Sequence, residues 1–331
     1  MRIIVDAMGS DDYPEPDVAG GVLAAREFGD TIIFVGDQPQ IEAVLAGQNT
    51  AGLSLEVKHA SQVVTMQDKP SEVVKGKPDS SMHVGLNLVR AGDADAFVSA
   101  GNTGGILATA MLRQVGLGRI PGVKRPALGV IFPTKGHPLL IDNGANADCR
   151  AEYLLQFGLM GSLYVERALG VKNPRVGLIS NGEEEGKGNN LIKEAIPLLA
   201  NSGLNYIGNI EPKQFMAGEA DVGVTDGFTG NLMLKTAESI AGYMSGVIRE
   251  GMLANPITIL GGLMTRSVFK KVRAQLSSDE VGGALLLGVN GVVIVAHGRS
   301  NAYAIKQAVY QARRIVENDV VAAIAQGLRN K

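Results

Sequence analysis

The sequence predicts an α/β fold built on a mostly parallel sheet with helices on both faces, and three observations carry that expectation. A short β-branched run ending in a Gly, Asn or Asp turn recurs along the chain, and an amphipathic helical stretch follows it each time; alternation of this kind builds parallel sheets. The strand runs are continuously apolar rather than alternating, the pattern of strands covered on both faces. The composition agrees: 331 residues with 45% hydrophobic content supply a large core, and 43 glycines with 5% aromatic residues suit tight strand-to-helix turns.

Taken in order, "RIIVDAMGSDD" leads into a helix from about Pro16 to Phe28, and "TIIFVGD" into "QPQIEAVLAG". "AFVSAGNTGG" precedes "ILATAMLRQ", and "PLLIDNGAN" precedes "RAEYLLQFGLMGSLYVERAL". Then "RVGLISNGEEEGKGNN" leads into "LIKEAIPLLANS", "ADVGVTDGFTGN" into "LMLKTAESIAGYMSGVIRE", and "GVVIVAHGRSN" into "AYAIKQAVYQARRIVEN". No long linker or low-complexity segment divides the chain, so residues 1–331 read as a single α/β domain. Residues 251–278 interrupt the alternation between two helices, with Pro256 and the Gly261-Gly262 pair inside them.

Bulk properties exclude several function classes. A net charge of −2 gives no global basic field for nucleic acid. Cys149 is the single cysteine, so there is no disulfide framework and a reducing compartment fits. Acidic residues come too early in "MRIIVDAMGSDD" for a signal peptide, and no apolar run is long enough to span a bilayer. The expectation is a cytoplasmic protein.

The chemistry concentrates in the turns, which in such folds leave the carboxyl ends of strands where ligands bind. "NGEEEGKGN" is not a P-loop: three residues separate Gly182 from Gly186, and Gly188 stands where the magnesium-binding hydroxyl belongs. It is not a dinucleotide fingerprint either, since Gly186-Lys187-Gly188 runs on to Leu191. A carboxylate metal site remains open, although adjacent glutamates in a loop diverge and no histidine lies nearby. Two other readings are weighed against each other. One is a solvated helix start with Glu183 to Glu185 ahead of it. The other is an anion site, because Lys187 at the positive end of a helix is unfavourable unless an anion sits between it and the free N–H groups. Gly186 and Gly188 let the backbone approach closely.

Other turns offer similar groups: Asn102, Thr103 and Gly104 in "SAGNTGG"; Thr229, Gly230 and Asn231 in "TDGFTGN", with Lys235 a turn further on; and His297, Ser300 and Asn301 in "AHGRSN". Each alone is an ordinary N-cap. Together, at one edge of the sheet, they could cradle a small tetrahedral anion. Nucleophiles are scarce. Cys149 lies near a helix start, which could lower its pKa, and His297 is the one histidine of four that ends a strand in a Gly turn. Bound phosphate could itself be the nucleophile.

At these loops the chain resembles the bacterial acyl-ACP:phosphate acyltransferases of phospholipid synthesis, the PlsX family. The matching blocks are "VDAMGSD" (5–11), "SAGNTGG" (99–105), "RPALG" (125–129), "DNGANADC" (142–149), "LLQFGLMG" (154–161), "NGEEEGKGN" (181–189), "YIGNIE" (206–211), "DGFTGN" (226–231), "GGALLLGVNG" (282–291) and "AHGRSNAYAIK" (296–306). They span the chain in the family's order, and Asn143 is a small departure. The resemblance implies a three-layer α/β/α sandwich, Rossmann-like and similar to phosphotransacetylases, with a helical hairpin projecting near 251–278. It implies transfer of a fatty acyl group from acyl carrier protein to inorganic phosphate, with no redox cofactor and no metal. It also implies a cytoplasmic homodimer working beside the membrane acyltransferase that consumes acyl phosphate.

Such a reaction needs positioning and charge stabilisation more than a strong base. The residues suited to contact substrate are Lys187, Asn231, Lys235, Asn102, Thr103, Thr229 and Asn189, with His297 and Asn301 beside them. Asp142, Asp226 and Asn146 are expected to orient these donors, because a carboxylate repels phosphate; Glu183 does the same or faces solvent. "RQVGLGRIPGVKR" carries Arg113, Arg119, Lys124 and Arg125 without an acid; it follows the "NTGG" helix and reads either as a dock for an acidic carrier protein near the mouth of the site or as a solvated loop. Apolar "PITILGGLM", with Ile259, Leu260 and Leu263, adjoins Lys270 and Lys271 and suits either a dimer interface or contact with the inner face of the membrane. An acyl-CoA donor and a non-catalytic acyl-carrier module are the alternatives.

Overall fold

The computed structural model describes residues 1–269 and 278–329. Its strands are β1 (Arg2–Asp6), β2 (Thr31–Gly36), β3 (Leu55–His59), β4 (Ala96–Ser99), β5 (Ala127–Ile131), β6 (Leu139–Ile141), β7 (Arg175–Ile179), β8 (Asn205–Ile210), β9 (Val222–Val224), β10 (Ala284–Leu287) and β11 (Val292–Val295). The first helices are α1 (Glu15–Phe28), α2 (Gln38–Ala46), α3 (Pro70–Gly76), α4 (Ser81–Ala91), α5 (Thr103–Met111) and α6 (Ala151–Leu169). They are followed by α7 (Asn190–Ala200), α8 (Pro212–Ala217), α9 (Gly227–Leu253), α10 (Pro256–Met264), α11 (Ser278–Val281), α12 (Ala302–Glu317) and α13 (Val320–Arg329).

All eleven strands join one sheet, in the order β3-β2-β1-β4-β11-β10-β5-β6-β9-β7-β8. Seven of the ten neighbouring pairs are parallel, as the apolar strand runs predict. The other three reverse direction: β10 is antiparallel to β11 and β5, and β5 to β6. The consequence is two parallel sets, β3-β2-β1-β4-β11 and β6-β9-β7-β8, that run in opposite directions.

Successive residues of each strand enter different layers. Ile3 and Val5 pack with Phe34, Val98, Phe157 and Ile305 on one face, while Ile4 packs with Ile33, Phe97 and Leu86 on the other. A third cluster, with Val130, Leu140, Ile179 and Phe215, continues the second face toward β7. Both faces are therefore dry, which is why the strand sequences are apolar throughout.

The expected hairpin begins earlier than residue 251. Helix α9 runs 27 residues and buries only Gly227 and Gly230. Chain direction changes at Asn255, whose side chain accepts the Thr258 N–H, and Pro256 starts α10 with no N–H to leave unsatisfied. Tyr243 is 75% exposed, Ile257 84% and Met264 78%, so these two helices carry apolar surface with no core beneath it. No helix among the described residues is long and apolar enough to cross a membrane. Lys270 and Lys271 lie outside the described residues.

A buried acid underlies the first turn. Ser10 Oγ donates to Asp17 Oδ2 at 2.5 Å, and Asp17 Oδ1 has no partner although the residue is fully buried. Burial, outweighing the Ser10 hydrogen bond, pushes the Asp17 carboxyl up to about 7. An acid whose folded pKa exceeds its unfolded value holds its proton more tightly in the native state, so stability falls as pH rises between about 4 and 7. Asp17→Asn keeps an acceptor for Ser10 and removes the charge. It is expected to raise the melting temperature at pH 8, with the gain shrinking as pH falls from about 7 to about 4; thermal melts across that range check it.

Candidate active site

Two loop clusters follow from the two strand directions. The turns after β1, β4 and β11 leave one set, and those after β6, β9 and β7 leave the other. The expectation that all the polar turns share one sheet edge is corrected here. Local strand runs cannot reveal that short β10, β5 and β6 reverse the sheet.

In the second cluster Asp142 is fully buried. Its carboxylate accepts the N–H groups of Leu128 (2.9 Å), Ala145 (3.1 Å) and Asn146 (2.7 Å) and the Asn146 side-chain amide (2.9 Å). Burial holds its pKa above the usual carboxylate range, opposed by those hydrogen bonds. Asn146 Nδ2 also donates to Pro126 O at 2.8 Å, and the Gly227 N–H donates to Asn146 O at 2.8 Å. Asp226 caps α9: its Oδ1 accepts the Thr229 N–H at 2.9 Å and its Oδ2 the Thr229 hydroxyl at 2.8 Å. The Thr229 hydroxyl proton is thus committed to the cap, which corrects its expected place as an anion donor. Gly230 is obligatory for space, since a Cβ there would lie 1.9 Å from Asp142 O. Asn231 is exposed, with its Nδ2 against Gly144.

The neighbouring loop leaves β7. Asn181 Oδ1 accepts the Gly188 N–H at 3.0 Å, the Lys187 N–H donates to Glu184 O at 2.9 Å, and Asn189 caps α7 by accepting the Ile192 N–H at 3.0 Å. Lys187 is exposed, its stem lies along Gly182, and it makes no ion pair among the described residues. Gly188 has φ +98°, a conformation that favours glycine. Gly186, by contrast, has open space where its Cβ would be, so close approach does not require glycine there. Glu183 leans on Lys213 at 3.7 Å rather than on Lys187. Sequence reasoning named the loop but missed Asn181 as its clasp. The signal was an amide at the strand end seven residues before an N–H in need of a partner.

In the first cluster Asn102 Oδ1 caps α5 by accepting the Gly105 N–H at 2.9 Å. Its Nδ2 donates to the carbonyls of Thr65 (3.0 Å), Met66 (3.3 Å) and Asp68 (2.9 Å). Its donor is spent on a strap from another part of the chain, which corrects its expected role toward phosphate. The strap covers Gly104 through Pro70 and Gly298 through Met66, and leaves Thr103 exposed. Asn301 caps α12 by accepting the Ala304 N–H at 3.0 Å. His297 Nδ1 accepts the Arg299 N–H at 3.3 Å, and the ring is held below its ordinary pKa by partial burial, then by the charges of Arg299 and Lys235. Lys235 sits on α9, 3.7 Å from Glu238. A helix that starts in one cluster therefore carries a cation into electrostatic reach of the other.

Two further expectations change. The Cys149 thiol is not activated: burial, then the Asp142 charge, pushes it up to about 12. The basic run is placed by backbone pairing, and the absence of an acid beside it does not hold. Ile120 N–H bonds to Gly288 O and Asn290 N–H to Gly118 O, and Pro126 holds Asn146, so the run borders the Asp142 loop. Arg113, Arg119 and Arg125 are exposed, whereas Lys124 is ion-paired with Glu152, an acid supplied from α6.

A family model described as fatty acid synthesis protein matches residues 1–323. A phosphate acyltransferase of Elusimicrobium minutum is 44% identical over 328 residues, covering 98% of this chain and 95% of that protein. One of Geobacter sulfurreducens is 42% identical over 332 residues, covering 100% and 95%. Among solved structures, a phosphotransacetylase from Streptococcus pyogenes shares the fold at 16% identity, with TM-score 0.59 over 99% of this chain and 94% of that one. A branched-chain phosphotransacylase from Enterococcus faecalis V583 does so at 15% identity, with TM-score 0.59 over 96% and 100%. The expected phosphotransacetylase-type α/β architecture is borne out, and with near full-length likeness to these relatives the chain belongs to the phosphate acyltransferase family.

Proposed function

We propose that this protein transfers a fatty acyl group from acyl carrier protein to inorganic phosphate, giving acyl phosphate and the free carrier thiol. The observation that carries the reading is the Lys187 loop. An exposed cation without an ion-pair partner among the described residues stands at the start of an 11-residue helix, on a turn clasped by Asn181. That is the electrostatics of an anion site. Phosphate held there attacks the thioester carbonyl carbon through one oxygen. The C–S bond breaks, and the sulfur leaves as thiolate and takes a proton from solvent. Both partners are reactive at neutral pH, so positioning and neutralisation of charge supply most of the acceleration.

Asp142, Asn146, Asp226, Thr229, Asn189 and Asn102 serve by holding turns in place. Asn231 and Lys235, along α9, with Thr103 and the neutral His297, are assigned to the acyl side. An acidic carrier protein fits Arg113, Arg119 and Arg125 beside the Asp142 loop. The exposed apolar side chains of α9 and α10 fit a homodimer, with the tip of the hairpin near anionic lipid on the cytoplasmic face.

Lys187→Ala is expected to raise the KM for phosphate and to lower turnover by about 10²-fold if the contact tightens in the transition state. The melting temperature should hardly move, because Lys187 packs into no core; an unchanged KM and turnover in the folded variant returns the loop to a solvated turn. Thiol release is expected from acyl-ACP, to depend on phosphate and to persist in EDTA. Preference for acyl-CoA favours the acyl-CoA donor reading, and binding without turnover the carrier module. Replacing Ile259, Leu260 and Leu263 by serine should reduce flotation with anionic vesicles while soluble turnover survives. Dissociation of the dimer by the same change assigns that segment to the subunit interface instead.

A further inference from the structure

We propose that Asn209 is a positioning residue for phosphate, acting through the Glu184 carbonyl on the turn that presents Lys187; the inference rests on the phosphate-loop reading above. Asn209 lies at the end of edge strand β8, only 6% exposed. Its Nδ2 donates to Glu184 O at 3.2 Å. The same carbonyl accepts the Lys187 N–H at 2.9 Å, closing the turn from 184 to 187. One oxygen thus ties the cation's backbone to a side chain of the sheet.

The sheet is distorted to make this possible. Along β7 and β8, Val176 pairs with Tyr206 but Leu178 pairs with Asn209, so β8 carries one extra residue between them. Gly208, in that bulge, has φ +91°. In regular register Asn209 would stand opposite Ile179, which packs with Ile210 and Phe215 on the second face. The extra residue moves it opposite Leu178, whose cluster includes Ile192, Ala195 and Leu199 of α7, the helix that the Lys187 loop begins. Tyr206 shares this face and feels the charge of Glu185 in the same loop.

Stability alone argues against an amide here. Asn209 Oδ1 is buried without a partner, a destabilising arrangement that an apolar β-branched residue would relieve. The donor, not the packing, accounts for asparagine at this place.

Asn209→Val separates these roles, with Asn209→Ala as the second variant. The expected result is a melting temperature equal to or above that of the parent, with the phosphate KM raised about 3- to 10-fold. Combined with Lys187→Ala, the further rise from Asn209→Val should vanish, because the residue acts through Lys187. An unchanged phosphate KM in both folded Asn209 variants overturns the inference. So does an Asn209 effect of full size on top of Lys187→Ala, which leaves the phosphate-loop reading standing. An unchanged phosphate KM in Lys187→Ala alone overturns that reading and this inference with it.

Discussion

The site region depends on one buried carboxylate. Asp142 gathers an N–H from β5, three from its own turn and a side-chain amide from Asn146, and its carbonyl lies where only a glycine at 230 lets α9 close in. A carboxylate away from water persists only when its oxygens are fully hydrogen-bonded. The bonds that satisfy it join β5 to the turn after β6, and Asn146 O, on that turn, accepts the Gly227 N–H at the start of α9. Loss of that charge would leave several oriented N–H groups without a common acceptor, and the turns beside it would lose their shared reference point.

Polar residues in these loops divide into holders and presenters. Asn102, Asn181, Asp226, Thr229 and Asn189 spend hydrogen-bonding groups on backbone or on each other. Lys187, Asn231 and Lys235 remain exposed on the turns and helix so held. Preorganisation of this kind lets a few flexible side chains act from a rigid frame, which matters when the chemistry needs orientation more than basicity.

The strand–helix alternation was legible in the sequence because burial on both faces leaves an unbroken apolar run wherever a strand passes. Strand direction was not legible: β10, β5 and β6 are as apolar as their parallel neighbours, and only pairing shows that they reverse. The polar turns were found, but the use of each group was hidden. Asn102 looked like a free donor, yet its amide is taken by carbonyls 34 to 37 residues away. Cys149 looked activated by a helix start, yet burial and Asp142 dominate its environment. Lys124 looked unopposed, yet Glu152 reaches it from α6. Local pattern carries backbone form well and long-range pairing poorly.

Helix α9 is 27 residues long, about 40 Å at 1.5 Å per residue. Its first turn packs against Asp142 through Gly227 and Gly230 and is capped by Asp226, while its far end carries α10 and bare apolar surface. One end is set among the Asp142 and Asp226 turns, and the other carries exposed apolar side chains. On the proposed reading, a second subunit or a bilayer that grips the free end would act with leverage on Asn231 and Lys235, coupling the surface the protein rests on to the proposed substrate groups.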